Sequence, residues 1–410
     1  MVFRKKNKFL YLLAFVLFIL SALYGLVLRW NFTYPLPFIN YHHFLQSHSH
    51  VAFLGWGYLA TIGVLLNYFV EVTTKQKKVY KITLSIIVIT ITLMLISFPL
   101  GGYKVFSIVL LSVFGLASYV LSYRFLKDIK GNSVAHKLIK YGIYYYILSS
   151  LATWFLAVVL VTQGKGNLYH NTVYFYLHFL YNGYFVFVLF GILFKIFETQ
   201  KIIISKKMQE NFFLYLNVAC IPAYALSVLW SGVSSVYYVI GFAASILQFI
   251  SLIFLLKIVR HSLPQLKWNS LSKLLLKFGL IAYSFKIIIQ IASAFPVIVA
   301  KSIALKPFFI IGYLHLFTLA FMSVVLLLIL IQLKIIVVKN LLSKIGIITF
   351  LIGIFITETL LFTQGFIFLN GFTPIKNYNL LLLIFSAFMV IGLITVFINQ
   401  FNLRILRGSA

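Results

Sequence analysis

Apolar runs of about 20 residues recur from one end of this chain to the other, and polar stretches between them are short. Such a run, at 1.5 Å per helical residue, covers the roughly 30 Å hydrocarbon core of a bilayer. No polar stretch in the 410 residues is long enough to make a separate soluble domain. The pattern therefore predicts an all-α membrane protein built as a single integral domain, 1–410. Twelve transmembrane helices are expected, over roughly 9–28 (α1), 48–70 (α2), 82–100 (α3), 105–125 (α4), 141–162 (α5), 172–197 (α6), 212–230 (α7), 236–258 (α8), 275–299 (α9), 308–333 (α10), 345–365 (α11) and 378–400 (α12).

Charge gives an independent reading of the same topology. The net charge of +29 would suggest a nucleic-acid partner in a soluble protein, but Lys and Arg here follow the connections. Taking the N-terminus and every second connection collects 27 of the 34 basic residues. The alternate connections hold six: Arg29, Lys104, Lys165, Lys301, Lys306 and Lys376. Lys286 is left inside α9. This split is the positive-inside rule for an even number of spans, so both termini are expected in the cytoplasm. A missed or invented helix would scramble it. The partner these charges imply is the lipid bilayer, with no nucleic acid.

The basic, apolar N-terminus has no small-residue cleavage site before Arg29 and is expected to remain as α1. The single cysteine, Cys220, rules out an intramolecular disulfide. There is no P-loop, HExxH, Rossmann glycine pattern or CxxCH, so covalent c-type haem is excluded.

Orientation sorts the nine histidines. His136 and His261 fall in cytoplasmic connections and read as solvated. The other seven are on the outer side. Three helices that start at the outer face carry histidine into the membrane: α2 with His48 and His50, α6 with His178, and α10 with His315. The intervals from His50 to His178 and from His178 to His315 are 128 and 137 residues, four helices each. The flanking stretches HSHVAFLGWGYL, YLHFLYNGYFVF and GYLHLFTLAFMS are loosely similar. A weak pseudo-three-fold repeat of four-helix blocks follows, about 1–130, 131–265 and 266–410.

Imidazole is costly in lipid unless it is hydrogen-bonded or coordinates. A single intramembrane histidine is ordinarily a packing residue. Three helices with histidine at one depth favour a shared site, because neutral imidazole is the commonest metal ligand. Nitrogen ligation without carboxylate suits haem iron, copper or zinc. His48 and His50 stand about 200° apart on a helix and cannot both face one pocket.

These residues resemble subunit I of the haem-copper oxidases, closest to the cbb3-type oxidase and nitric oxide reductase catalytic subunits. The likeness in topology covers nearly the whole chain, and the motif support is local. SHSHVAFLGWG resembles the family's α2 stretch, with His48 in the low-spin haem position and His50 where the cbb3 type has Asn. GYLHLFTLAF fits the family's His-x-His pair with His315 as its second member, and Tyr313 stands where the first would be. YLHFLYNGYF resembles the copper-binding start of the sixth helix, with His178. The departures are selective. The histidines of the family's seventh helix are absent from FFLYLNVACIPAYALSVLW, and so are the paired arginines after its eleventh.

The resemblance implies a degenerate relative that holds one b-type haem between His48 and His315 and does not reduce oxygen. His50 and His178 would line an altered metal pocket. No catalytic residue is assigned. An electron-transfer or redox- or gas-linked role in a bacterial cytoplasmic (inner) membrane is expected, with a redox partner on the outer face.

Other polar residues extend the candidate list. Glu358 is the only acidic residue deep within a span, toward the outer end of α11. It reads as proton carrier, ligand or hydrogen-bond partner that orients a histidine, or as a protonated packing residue. Asn182 shares a face with His178. Lys286 and Gln290, with Gln248, read as a proton or substrate path or as interhelical glue. Trp56, Trp154 and tyrosines near helix ends read as interfacial anchors. Two readings stand beside the haem one: a haem-free copper or zinc protein using His50, His178 and Glu358, and a transporter or assembly subunit with a proton-linked His/Glu site.

Overall fold

The twelve apolar runs form helices in the structure, a computed structural model that describes residues 8–71, 74 and 77–408. Their bounds are Lys8–Thr33 (α1), Tyr41–Tyr68 (α2), Lys78–Gly101 (α3), Val105–Asp128 (α4), Val134–Gln163 (α5), Asn167–Thr199 (α6), Lys206–Ser231 (α7), Ser235–Ser262 (α8), Ser270–Ser293 (α9), Lys306–Gln332 (α10) and Leu341–Leu369 (α11), and Tyr378–Gly408 (α12). All twelve are long and apolar enough to cross a membrane. The chain is an all-α, multi-pass membrane protein.

Most helices start earlier than their apolar run, and in four of them a side chain caps the polar first turn. The side chains of Asn40, Ser205, Asn269 and Asn340 accept hydrogen bonds from the backbone N–H groups of His43, Met208, Ser272 and Ser343. Each satisfies one of the four donors that a helix start leaves orphaned. The α9 segment ends sooner than its hydropathy suggests. Phe295 is extended ahead of Pro296, and a separate short helix, Pro296–Ile303, follows. Proline disfavours helical backbone in the residue before it and suits a helix's first turn.

The chain forms two compact units. The first comprises 1–128 and 326–410, and the second 129–325. In the first, α1 packs against α2 and α12, α2 against α3, α3 against α4, and α11 against α12. The α11–α12 contact is close enough to be read in glycine. A Cβ on Gly392 would lie 2.5 Å from the carbonyl oxygen of Gly346, and one on Gly346 would lie 2.8 Å from that of Gly392. In the second unit, α5 packs on α6, α7 on α8, α8 on α9, and α9 on the middle of α10.

Helices α2, α6 and α10 differ from the rest in burial. Of their most apolar stretches 78%, 94% and 78% is buried, against 50% or less for the other nine. A lipid-facing helix exposes one side; these three are enclosed nearly all round.

Candidate functional site

The three enclosed helices are the three singled out for the histidines His48 and His50, His178 and His315, and each changes geometry at a histidine. The α-helical part of α2 ends at His50, that of α6 at His178 and that of α10 at His315. A π-helical segment begins at the next residue each time: Val51–Tyr58, Phe179–Phe185 and Leu316–Ser323. The wider turns are partly tied by hydroxyls. Thr61 Oγ1 donates to the Gly57 and Tyr58 carbonyls at 2.8 and 2.9 Å, and Ser323 Oγ donates to the Thr318 carbonyl five residues back, at 2.7 Å. Single π turns are rare and concentrate at functional positions. Here they recur at one place in three helices spaced four spans apart.

With α2 starting at Tyr41, His48 and His50 stand about two turns inside their helix. In the first unit, His48 Nδ1 lies 2.8 Å from the carbonyl oxygen of Ser21 on α1, while Ser21 Oγ donates to the His48 carbonyl at 3.0 Å. The ring lies against Gly25, where a Cβ would come within 2.9 Å of Cε1. The carbonyl fixes the ring proton on Nδ1 and makes Nε2 the basic nitrogen. His50 is held differently. Its Nδ1–H donates to the Gln46 carbonyl at 2.8 Å, and its Nε2 accepts from the Tyr103 hydroxyl at 3.2 Å. Its ring stacks on Phe98, centroids 4.5 Å apart.

Glu358 belongs to the same unit and is buried. Its electrostatic neighbour is Arg29 on α1, which also acts on Tyr41, Tyr378 and His48. The sequence pattern placed Arg29 in an outer connection; it lies within α1 and joins this buried polar group. The sequence likewise gives no sign of a role for Ser21 or Gly25. A small residue facing a histidine across two helices leaves no local sequence signal.

In the second unit, α7 is interrupted at Pro222. Its first segment ends at Cys220, and the Tyr224 N–H bonds to Ile221, three residues back. The Cys220 carbonyl, which a continuous helix would pair with Tyr224, instead accepts from His178 Nε2–H at 2.8 Å. His178 Nδ1 faces Asn182 Nδ2 at 3.3 Å. Both ring nitrogens are therefore engaged by protein groups. His315 is half-buried on α10, two residues after Tyr313, which is within electrostatic reach of the buried Tyr181 and Tyr283. Lys286 is 1% exposed, with Nζ 3.4 Å from Gln248 Oε1 and 5.4 Å from the centre of the Tyr283 ring. Gln290 is buried one turn further along α9.

His48, His50 and Glu358 thus belong to the first unit, and His178, Asn182, Lys286, Gln290, Tyr313 and His315 to the second. Among the described residues, no three His, Cys, Asp or Glu side chains form a group able to hold a metal ion.

Two further residues depart from their sequence reading. Trp56 is not an interfacial anchor. It is fully buried and stacks on Phe18, with ring centres 4.6 Å apart and planes 5° from parallel. His136 is not solvated. It is buried in the first turn of α5, its Nδ1 2.8 Å from Ser133 Oγ and its ring against Gly131, whose φ of +127° only glycine adopts readily.

No protein-family model matches the chain, and no curated protein matches it.

Proposed function

We propose that this protein binds a b-type haem in a bacterial cytoplasmic membrane, with His48 as an axial ligand, and serves electron transfer or a redox- or gas-linked role. The observation that carries the reading is the 2.8 Å contact between His48 Nδ1 and the Ser21 carbonyl. Metal-ligating histidines almost always give their other ring N–H to a carbonyl or carboxylate, which fixes the ring and raises its basicity. On the His48 side, the residues present therefore fit a haem iron. When bound, a low-spin haem supplies a one-electron couple. The chain's part is to hold the imidazole through Ser21, seat it against Gly25, and provide a cation, Arg29, near it.

A copper or zinc site at His50 and His178 is disfavoured by the contacts of those two rings. Each of those rings already has both nitrogens occupied, by Gln46 and Tyr103 and by Cys220 and Asn182. A metal there would have to displace a protein partner. The π-helical turns after the histidines of α2, α6 and α10 support the four-helix repeat behind the oxidase resemblance.

The test is haem stoichiometry by pyridine haemochrome in purified protein. His48→Ala is expected to lose the haem and His178→Ala to keep it. Equal stoichiometry in wild type and His48→Ala would overturn the assignment.

A further inference from the structure

We propose that the second unit holds a small monovalent anion of halide size beside Lys286. This stands on α8 and α9 residues and is independent of the haem reading. Lys286 is buried in the middle of α9, where an uncompensated ammonium is expensive. Among the described residues its one hydrogen-bond partner is neutral: the Gln248 side-chain oxygen, at the long distance of 3.4 Å. No carboxylate of the unit is available. Its two acidic residues, Glu198 and Glu210, are paired at 3.1 and 2.8 Å with Lys195 and Lys137.

Two further polar groups lie one turn either side of Lys286 on the same face of α9. The Tyr283 hydroxyl, one turn earlier, and the Gln290 side-chain oxygen, one turn later, are buried without a partner among the described residues. Both residues are at least 95% buried, so neither group reaches bulk water. Orphaned buried polar atoms call for an explanation, and a water or ion between them is one. Around a cation that has no counter-charge, the species that satisfies all three is an anion. It accepts from Lys286 Nζ and the Tyr283 hydroxyl, and from the Gln290 amide once that group is turned to present its NH2, which exchanges O for N at no steric cost. Water beside a neutral amine would satisfy the same groups without an anion, and would leave unfolding indifferent to the choice of salt.

The experiment is thermal unfolding of the purified full-length protein in sodium bromide against sodium gluconate at equal ionic strength. An anion bound only by the folded state raises the unfolding temperature along a saturating curve. Bromide is expected to do so, and Lys286→Met to abolish the dependence. Tyr283→Phe is expected to raise the half-saturating bromide concentration roughly ten-fold, from loss of one hydrogen bond to a charged group. A bromide anomalous-scattering peak beside Lys286 Nζ in wild-type crystals supports the site independently of any variant. Identical wild-type unfolding in the two salts overturns it. So does a bromide response that persists in Lys286→Met, or a crystal soaked in bromide with no peak at Nζ.

Discussion

The imidazole of His48 on α2 is tied to α1 by the carbonyl of Ser21, 2.8 Å from Nδ1, and it rests on a helix face that only Gly25 leaves open. Its environment is built from backbone and from the absence of a side chain. That makes it sensitive to substitutions that touch neither charge nor ligand chemistry.

Gly25→Val should therefore act as a displacement of His48. The added carbons overlap the ring, and forcing them in should cost about 1–3 kcal/mol. A lowered unfolding temperature together with haem loss is expected, measured on one preparation. Ser21→Ala keeps the carbonyl and should retain haem.

The partner of His178 is a carbonyl that exists because α7 breaks at Pro222. Replacing that proline with alanine ordinarily helps a helix, by about 3 kcal/mol in an interior position. Here Pro222→Ala lets α7 continue, returns the Cys220 carbonyl to its own helix and strands His178 Nε2–H. Thermal unfolding should show no gain in stability, and a loss of about 1–3 kcal/mol from the orphaned donor. In the His178→Ala background the same proline change should recover the gain.

Trp56 and Phe18 form a stacked pair inside the first unit. Trp56→Ala should cost about 3–5 kcal/mol, as a large aromatic removed from a close-packed interior. A double-mutant cycle with Phe18→Leu should return a coupling of about 1 kcal/mol. An interfacial anchor would give almost none.

The α11–α12 contact depends on two glycine backbones meeting. Gly392→Leu should push these helices apart and destabilise the first unit, with the second unit's proteolytic pattern unchanged. Limited proteolysis of Gly392→Leu against wild type reads this directly.

Much of the frame was legible because lipid imposes it. Spans must be apolar and long, and Lys and Arg mark the cytoplasmic connections, so twelve helices could be counted from composition alone. The start of α2 at Tyr41 rather than near His48 was less visible, because YHHFLQSHSH is polar and its helicity comes from the Asn40 cap and tertiary packing. The histidine-bearing helices could be picked out, yet their π-helical turns could not, since VAFLGWGY, FLYNGYF and LFTLAFMS share no residue pattern that differs from α-helix. The partners of the histidines were hidden for a related reason. Ser21 and Cys220 act through backbone carbonyls, which every residue carries. Tryptophan in a span reads as an interfacial anchor by residue type, whereas Trp56 lies in the buried stretch of α2.

The most direct test of the central claim is the reduced-minus-oxidised absorption spectrum of the purified protein, wild type and His48→Ala side by side. The account predicts a Soret band with sharp reduced α and β bands in wild type, and their loss in His48→Ala. A flat wild-type spectrum from cells supplied with haem would contradict it, as would a spectrum that the substitution leaves unchanged.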